Sequence, residues 1–268
     1  AWPPTRFQEP AVVWVKRWHP KDQALMNGMF GFQNRNMNVW YRLDFLDEKI
    51  FGPNNGSELQ PEKVSDKDFL TKRYTHQLQS DWKLDNRLDV HAALSYQDYK
   101  RRTRTTESDL STGEKWLSSA EASQDITQYK AWIARATVAW NIAPEFSVQP
   151  GVEYQWTQGE GGRIDGTPKV SDLAFFLSAE YKPWEWLSLR PGVRTFIVAD
   201  YDAPIAIPSV LTKFKLTKHM DLRLSYAYGF RSPTLQELYF SFHNDNHDID
   251  GNPDLKAEYS HNITGSVA

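Results

Sequence analysis

The sequence predicts an all-β chain: the wall of an antiparallel up-and-down transmembrane β-barrel of about 12 strands, partial rather than closed. Three observations predict it. Apolar and polar residues alternate with a period of two along most of the chain, the period of a strand. Short and long connections follow one another in strict alternation between those segments. The chain also carries 11 Trp, 12 Tyr and 14 Phe although its mean hydropathy is only −0.63.

The alternation is clearest from residue 73. Arg73, Thr75, Gln77, Gln79, Asp81 and Lys83 occupy one parity, and Tyr74, His76, Leu78, Ser80, Trp82 and Leu84 the other. The same split separates Leu88, Val90, Ala92, Leu94 and Tyr96 from Asp89, His91, Ala93, Ser95 and Gln97. It recurs as Phe146, Val148, Pro150, Val152, Tyr154 and Trp156 against Ser147, Gln149, Gly151, Glu153 and Gln155. Leu222, Leu224, Tyr226, Tyr228 and Phe230 oppose Arg223, Ser225, Ala227, Gly229 and Arg231 in the same way. A helix would scatter each set around its axis. Taken in order, the strand segments fall near 11–18, 25–33, 37–47, 70–84, 88–99, 128–141, 146–157, 172–181, 187–198, 208–216, 221–231 and 257–267. Their lengths are near the ~10 residues of a tilted membrane strand.

Five connections are short, at 34–36, 85–87, 142–145, 182–186 and 217–220. Asp85-Asn86 and Lys182-Pro183 supply turn chemistry in two of them. Five are long, at 48–69, 100–127, 158–171, 199–207 and 232–256. In a meander alternate connections share one end of the sheet. One end therefore carries tight turns and the other long polar loops, as in a bacterial outer-membrane barrel. Trp82 and Trp140 precede short turns, Trp184 and Trp186 lie in or beside one, and Tyr74 and Trp132 lie eight residues earlier on their strands. Eight residues at ~3.3 Å rise and ~40° tilt span about 20 Å, near the ~25 Å apolar band between aromatic girdles. A soluble sandwich or propeller would explain the alternation. It would not explain the alternating connections or rings at both ends of the apolar rows, and no repeat of 20–50 residues is present.

Composition narrows the function. Lys+Arg 31 against Asp+Glu 34 gives a net charge of −3, without the basic face a nucleic-acid binder needs. The absence of Cys removes disulfide frameworks, Cys-ligated zinc and Cys nucleophiles. No apolar run approaches the ~20 residues of a membrane helix, and no signal peptide is legible in residues 1–30. No GxSxG, P-loop, GxGxxG or HExxH motif is present, and Gly159, Gly161 and Gly162 read as a loop tip, not a phosphate cradle.

Residues 229–258 read GFRSPTLQELYFSFHNDNHDIDGNPDLKAE. Phe230-Arg231-Ser232-Pro233, Leu235 and Glu237-Leu238-Tyr239, followed by Gly251-Asn252-Pro253-Asp254-Leu255 and Glu258, resemble the paired FRAP…EL and GNPxLxPE phrases of the TonB-dependent outer-membrane receptors. Ser232 and Ala257 depart from the usual Ala and Pro, and both are small. Residues 40–48, WYRLDFLDE, resemble a further strand of the family. The resemblance is diagnostic over 226–267 and compatible over 37–268. The roles of the Pro and Gly residues read as conformational. Pro233 has no N–H to continue a ladder, residues 234–242 leave the strand as a short helical turn, and Gly251-Asn252-Pro253 resets the chain.

The resemblance implies active import of a scarce ligand, such as an iron–siderophore, haem or cobalamin. It implies a barrel of about 22 strands, a plug, and coupling through that plug to the TonB energy complex. Residues 1–268 are then expected to be part of the barrel domain, with plug and C-terminal strands missing. The implied surroundings are outer-membrane lipid and a small-molecule ligand, with no cofactor required and no bond-making chemistry. Candidate ligand contacts in the loop between the two phrases are His243, Asp245, His247 and Asp248. Imidazole is a natural axial ligand for haem iron, and the resemblance favours His243. Asn246, Asp248, Asp250 and Gly251 resemble the start of a calcium loop, with Asn first and Glu258 one residue late. Solvated loop side chains are the plain alternative for all of these. Lys100-Arg101-Arg102-Thr103-Arg104 is either a charge run facing lipid headgroups or a basic patch for an anionic ligand. Two other functions compete: a passive porin closed on itself, which would pair its first and last strands, and a surface-binding barrel without transport.

Overall fold

A computed structural model describes residues 19–53, 62–120, 122–198, 203–244 and 247–268. Its main element is an antiparallel meander. The strands are β1 (Lys21–Gln33), β2 (Met37–Ile50), β3 (Lys63–Lys83), β4 (Leu88–Asp109), β5 (Lys115–Leu117), β6 (Ile126–Ala143), β7 (Phe146–Glu160), β8 (Lys169–Trp184), β9 (Leu187–Val198), β10 (Ile207–Thr217) and β11 (Met220–Arg231). A short helix α1 (Leu235–Tyr239) and a hairpin, β12 (Ser241–Asn244) with β13 (His247–Asp250), precede β14 (Glu258–Val267). The sheet runs β1-β2-β3-β4-β6-β7-β8-β9-β10-β11-β14, with β5 paired to the tip of β4. Among the described residues β1 and β14 are its two edges. A porin closed on itself would pair them; this sheet is open, the wall of a partial barrel. The segment near 11–18 lies outside the described residues.

The register sets two faces. Leu43 faces His76, His76 faces Tyr96, Tyr96 faces Trp132, and Trp132 faces Trp156 across five strands. The Tyr96 and Trp132 rings lie 4.4 Å apart. This is an aromatic row toward the long-loop end. Toward the short turns, Trp82 faces Val90 and Trp140 faces Leu88, so both rings lie at one end, two residues apart along β4. Trp184 and Trp186 stack at 5.2 Å at that end too. Between the rows Leu78, Leu94, Tyr154 and Phe175 stand exposed, as side chains facing acyl chains must in a protein without its lipid.

The opposite face is wet. Asp81 accepts from Asn38 and Gln79 and sits 2.9 Å from His91 Nδ1. Glu153, only 8% exposed, accepts from Arg194 at 2.6 Å and Gln155 at 2.9 Å, with Arg135 at 3.6 Å. Phe176 crosses Gly151 so closely that a Cβ there would meet its ring at 2.2 Å. Both arginines lie over that ring, at 4.9 and 5.8 Å. Polar groups on this face pair with one another across strands, as buried or half-buried charges must.

The strands overrun the expected boundaries. The connections expected at 48–69 and 100–127 are in part ladder: β2 continues to Ile50, β3 begins at Lys63, and β3 pairs β4 from Lys83↔Asp89 up to Lys63↔Asp109. The amphipathic alternation fades there while the backbone ladder persists, and Val64, Thr105 and Ser108 are buried where residues 118–120 and 122–125 fold onto the extension. Cross-strand charge replaces it: Arg104 donates to Asp68 at 2.7 Å, and Lys49 lies 3.7 Å from the same carboxylate. The expected loop 232–256 likewise contains α1 and the β12–β13 hairpin.

The two faces should respond differently to charge. Leu94→Arg, on the lipid face midway between the aromatic rows, should cost ~2–4 kcal/mol in denaturant unfolding from lipid vesicles, and Ser95→Arg less than ~1 kcal/mol. Equal costs would refute the assignment of faces.

Candidate functional site

The two family phrases meet at the end of the wall bearing the long connections. Arg231 and Glu258 form the pair nearest that end between β11 and β14. The Arg231 guanidinium is shared between two carboxylates. Its Nη1 and Nη2 donate to Glu237 at 3.0 Å each, and its Nε and Nη2 donate to Glu258 at 2.9 and 2.7 Å. The planar fork of arginine allows this geometry, which a lysine could not reproduce. Glu237 is also the third residue of α1. Its carboxylate accepts from the Thr234 backbone at 2.8 Å, and its own N–H donates to Thr234 Oγ1 at 3.2 Å. This is a reciprocal capping box. One carboxylate therefore starts the helix and ties it to the wall.

The second phrase closes the other end of α1. Gly251 N–H donates to the Phe240 carbonyl at 2.6 Å, and Asn252 N–H donates to the Glu237 carbonyl at 3.0 Å. A Cβ on Gly251 would lie 2.7 Å from backbone atoms of Leu238 and Phe240, so glycine alone permits this approach. Asn252 Oδ1 accepts from Asp254 N–H at 2.9 Å and shapes the turn around Pro253. Beneath the helix Pro233, Leu235, Leu238 and Ala257 are buried together with Ile164 from the β7–β8 connection. That connection also bonds the segment directly: Asp165 N–H donates to Tyr239, and Ser241 N–H donates to the Arg163 carbonyl, both at 3.0 Å. Leu255 N–H donates to the Asn252 carbonyl at 3.2 Å, and the Phe230 and Tyr259 rings pack across β11 and β14 at 6.1 Å. Ile164 and Arg163 carry no sequence signal for this role, because the contact joins segments some seventy residues apart.

The hairpin rises from this base. His243 lies opposite Asp248, and Ser241 opposite Asp250. His243 Nδ1 is 2.5 Å from Asp248, and its Nε2 is 3.1 Å from both Asp250 and Ser241 Oγ. The Asp248 hydrogen bond, with Asp250 beside it, raises the His243 pKa above the ordinary histidine value. A raised pKa means the imidazolium ties the hairpin fully below about pH 6.5, and the tie is lost as pH rises through the raised value. Asp245 and Asn246, and with Asn246 the first position of the expected calcium loop, lie outside the described residues. His247 is placed only by its backbone pairing with Asn244.

The remaining candidates separate. The strand sends Lys100, Arg102 and Arg104 to the lipid side and Arg101 to the lumen side, where its guanidinium lies 4.1 Å from the Phe69 ring. The basic run is thus no single patch. His76 sits in the aromatic row, 2.7 Å from Tyr41 Oη. His91 pairs with Asp81, and His261 lies 3.0 Å from Tyr226 Oη.

Residues 17–267 match the family model described as TonB dependent receptor-like, beta-barrel. No curated protein sequence matches the chain. Similar solved structures include the FrpB iron transporter of Neisseria meningitidis, at 13% identity over 80% of this chain and 37% of that one, with a TM-score of 0.57. Pseudomonas aeruginosa FpvA, bound to a heterologous pyoverdine–iron complex, is 13% identical over 92% of this chain and 39% of its own, with a TM-score of 0.59. BauA, the ferric preacinetobactin receptor of Acinetobacter baumannii, is 11% identical over 92% and 44%, with a TM-score of 0.52. At these identities the likeness is one of fold, and the chain spans less than half the length of each of the three.

Arg231 and the Thr234 groups hold the Glu237 carboxyl down to about 2, against about 4.3 for an unpaired glutamate. A depressed value stabilises the clamp above about pH 4.3, and that stabilisation is lost as pH falls through about 2. Amide protection over 234–240, taken relative to intrinsic exchange rates, should therefore be high near pH 5 and fall below about pH 4. In Glu237→Gln protection should already be low at pH 5, and wild-type protection at pH 5 in that variant would remove Glu237 from the clamp.

Proposed function

The chain belongs to the TonB-dependent receptor β-barrel family, and from that premise we propose that residues 1–268 form part of the barrel domain of an outer-membrane receptor that imports a scarce ligand. The family is one of receptors and transporters, and its members need no cofactor of their own. The observation that carries the proposal is the mouth clamp. Arg231, Glu237, Glu258 and Gly251 join the wall, a capped helix and a polar hairpin into one unit at the end bearing the long connections.

The division of labour follows from the two faces. The aromatic rows and the apolar band between them seat the wall in outer-membrane lipid. The polar face lines the lumen, where Glu153, Arg135 and Arg194 hold one another in place. A plug would fill that lumen and couple ligand release to the TonB complex, so the energised step runs through residues outside this wall. His243 and Asp248, with Asp245 and His247 on the same loop, are the proposed ligand contacts. The likeness to an iron transporter and to ferric-siderophore receptors supports an iron chelate as cargo, and haem enters as a candidate through the loop histidine His243. Haem ligation by His243 would require Nε2 to leave Asp250. No bond-making chemistry and no nucleic acid enter this function.

Iron-starved cells carrying the gene should grow on one of three sole iron sources, haem, a ferric catecholate or a ferric hydroxamate. That growth should stop on loss of the gene, loss of TonB, or addition of a protonophore. Growth that survives loss of TonB would identify a passive pore. Should haem be the cargo, His243→Ala should weaken haem binding by tenfold or more in the purified receptor, and an unchanged affinity would exclude His243.

A further inference from the structure

The hairpin register places four ligand-bearing side chains on one face. Ser241 and His243 are two residues apart on β12, and Asp248 and Asp250 two apart on β13. Period two then sends all four to the same side, with Phe242 and Ile249 on the other. The hairpin is fixed at its root on both strands, by Ser241 N–H to the Arg163 carbonyl and by Gly251 N–H to the Phe240 carbonyl. The root of the hairpin is therefore tied to the β7–β8 connection.

We propose that this face binds one divalent transition-metal ion, ligated by His243 Nε2 and Asp250, with Ser241 Oγ beside them and Asp248 orienting the imidazole through Nδ1. The distances fit. Asp250 Oδ1 lies 3.1 Å from His243 Nε2, and Ser241 Oγ also lies 3.1 Å from it. Two ligands each ~2.1 Å from an ion lie about 3.0 Å apart in an octahedral site and about 3.4 Å apart around a tetrahedral zinc, so the pair needs to open by at most a few tenths of an ångström. Asp248, at 2.5 Å from Nδ1, occupies the place of the carboxylate that accepts the second N–H of a metal-bound histidine. That hydrogen bond fixes the tautomer and leaves the Nε2 lone pair free. His243, Asp248 and Asp250 offer ligand atoms all within 4.8 Å of one another.

The donor set also selects the ion. An imidazole nitrogen beside a carboxylate suits zinc, copper, nickel or iron, whereas calcium prefers oxygen alone. Here Asp248 faces the imidazole. Metal and proton compete for Nε2, so metal binding weakens as pH falls. One nitrogen and one or two oxygens leave coordination positions open, which water or the donors of a chelator can fill. Use of the ion in uptake rests on the proposed transport function; its binding does not.

The test is calorimetric titration of the full-length protein in detergent with Zn²⁺ alone, repeated with Co²⁺ and visible absorption. One Zn²⁺ per protein should bind saturably. His243→Ala and Asp250→Asn should each weaken it by tenfold or more, Asp248→Asn by about 10–100-fold, and Glu114→Gln, in the β4–β5 turn, should leave it unchanged. The absence of saturable Zn²⁺ binding, or the same affinity in His243→Ala, would overturn the site. Zn²⁺ binding together with TonB-independent growth would confirm the site and remove the transport reading. TonB-dependent growth without Zn²⁺ binding would remove only the site.

Discussion

Backbone hydrogen bonding in a solvent that offers none is the constraint on which the rest of this molecule depends. In hydrocarbon each N–H and C=O must find a partner within the protein. The chain meets that demand by pairing each strand of the meander with the next, from β1 to β14, in one antiparallel ladder. The ladder imposes the two-residue period, and the period divides the side chains between lipid and lumen. Leu78 and Leu94 meet across β3 and β4 on one side, while Asp81 meets His91 on the other. The polar composition is a consequence, since only alternate residues need to be apolar.

The same ladder explains how the mouth is built. It delivers Arg231 and Glu258 to opposite ends of one cross-strand pair, and α1 supplies Glu237 as the second carboxylate. The clamp therefore needs three segments and no large core. Leu235, Leu238, Ala257 and Ile164 supply a small buried cluster beneath it. The mouth is a rigid base for a short hairpin, and the hairpin presents its polar side chains by strand periodicity rather than by loop conformation.

Much of this was legible in the sequence because alternation and turn residues are local signals. Trp82 and Trp140 announce the end with short turns, and the two phrases around Arg231 and Gly251 announce the mouth. The extensions of β3 and β4 were not legible, because those stretches carry no alternating apolar row. The charges at Asp68 and Arg104 look like loop until the register pairs them. The meeting of Ile164 with Leu235, and of Asp248 with His243, was hidden for another reason. The first depends on which connection folds over the mouth, the second on the hairpin register, and neither leaves a periodic trace.

The central claim is that residues of one parity face lipid and those of the other face water. The chain has no Cys, so single cysteines introduced one at a time from 74 to 82 can be spin-labelled in the full-length protein in lipid vesicles, with any Cys outside residues 1–268 replaced by Ser. The account predicts that labels at 74, 76, 78, 80 and 82 collide preferentially with oxygen, and labels at 75, 77, 79 and 81 with a water-soluble nickel chelate. A profile without that two-residue period, or with the parities reversed, would contradict it.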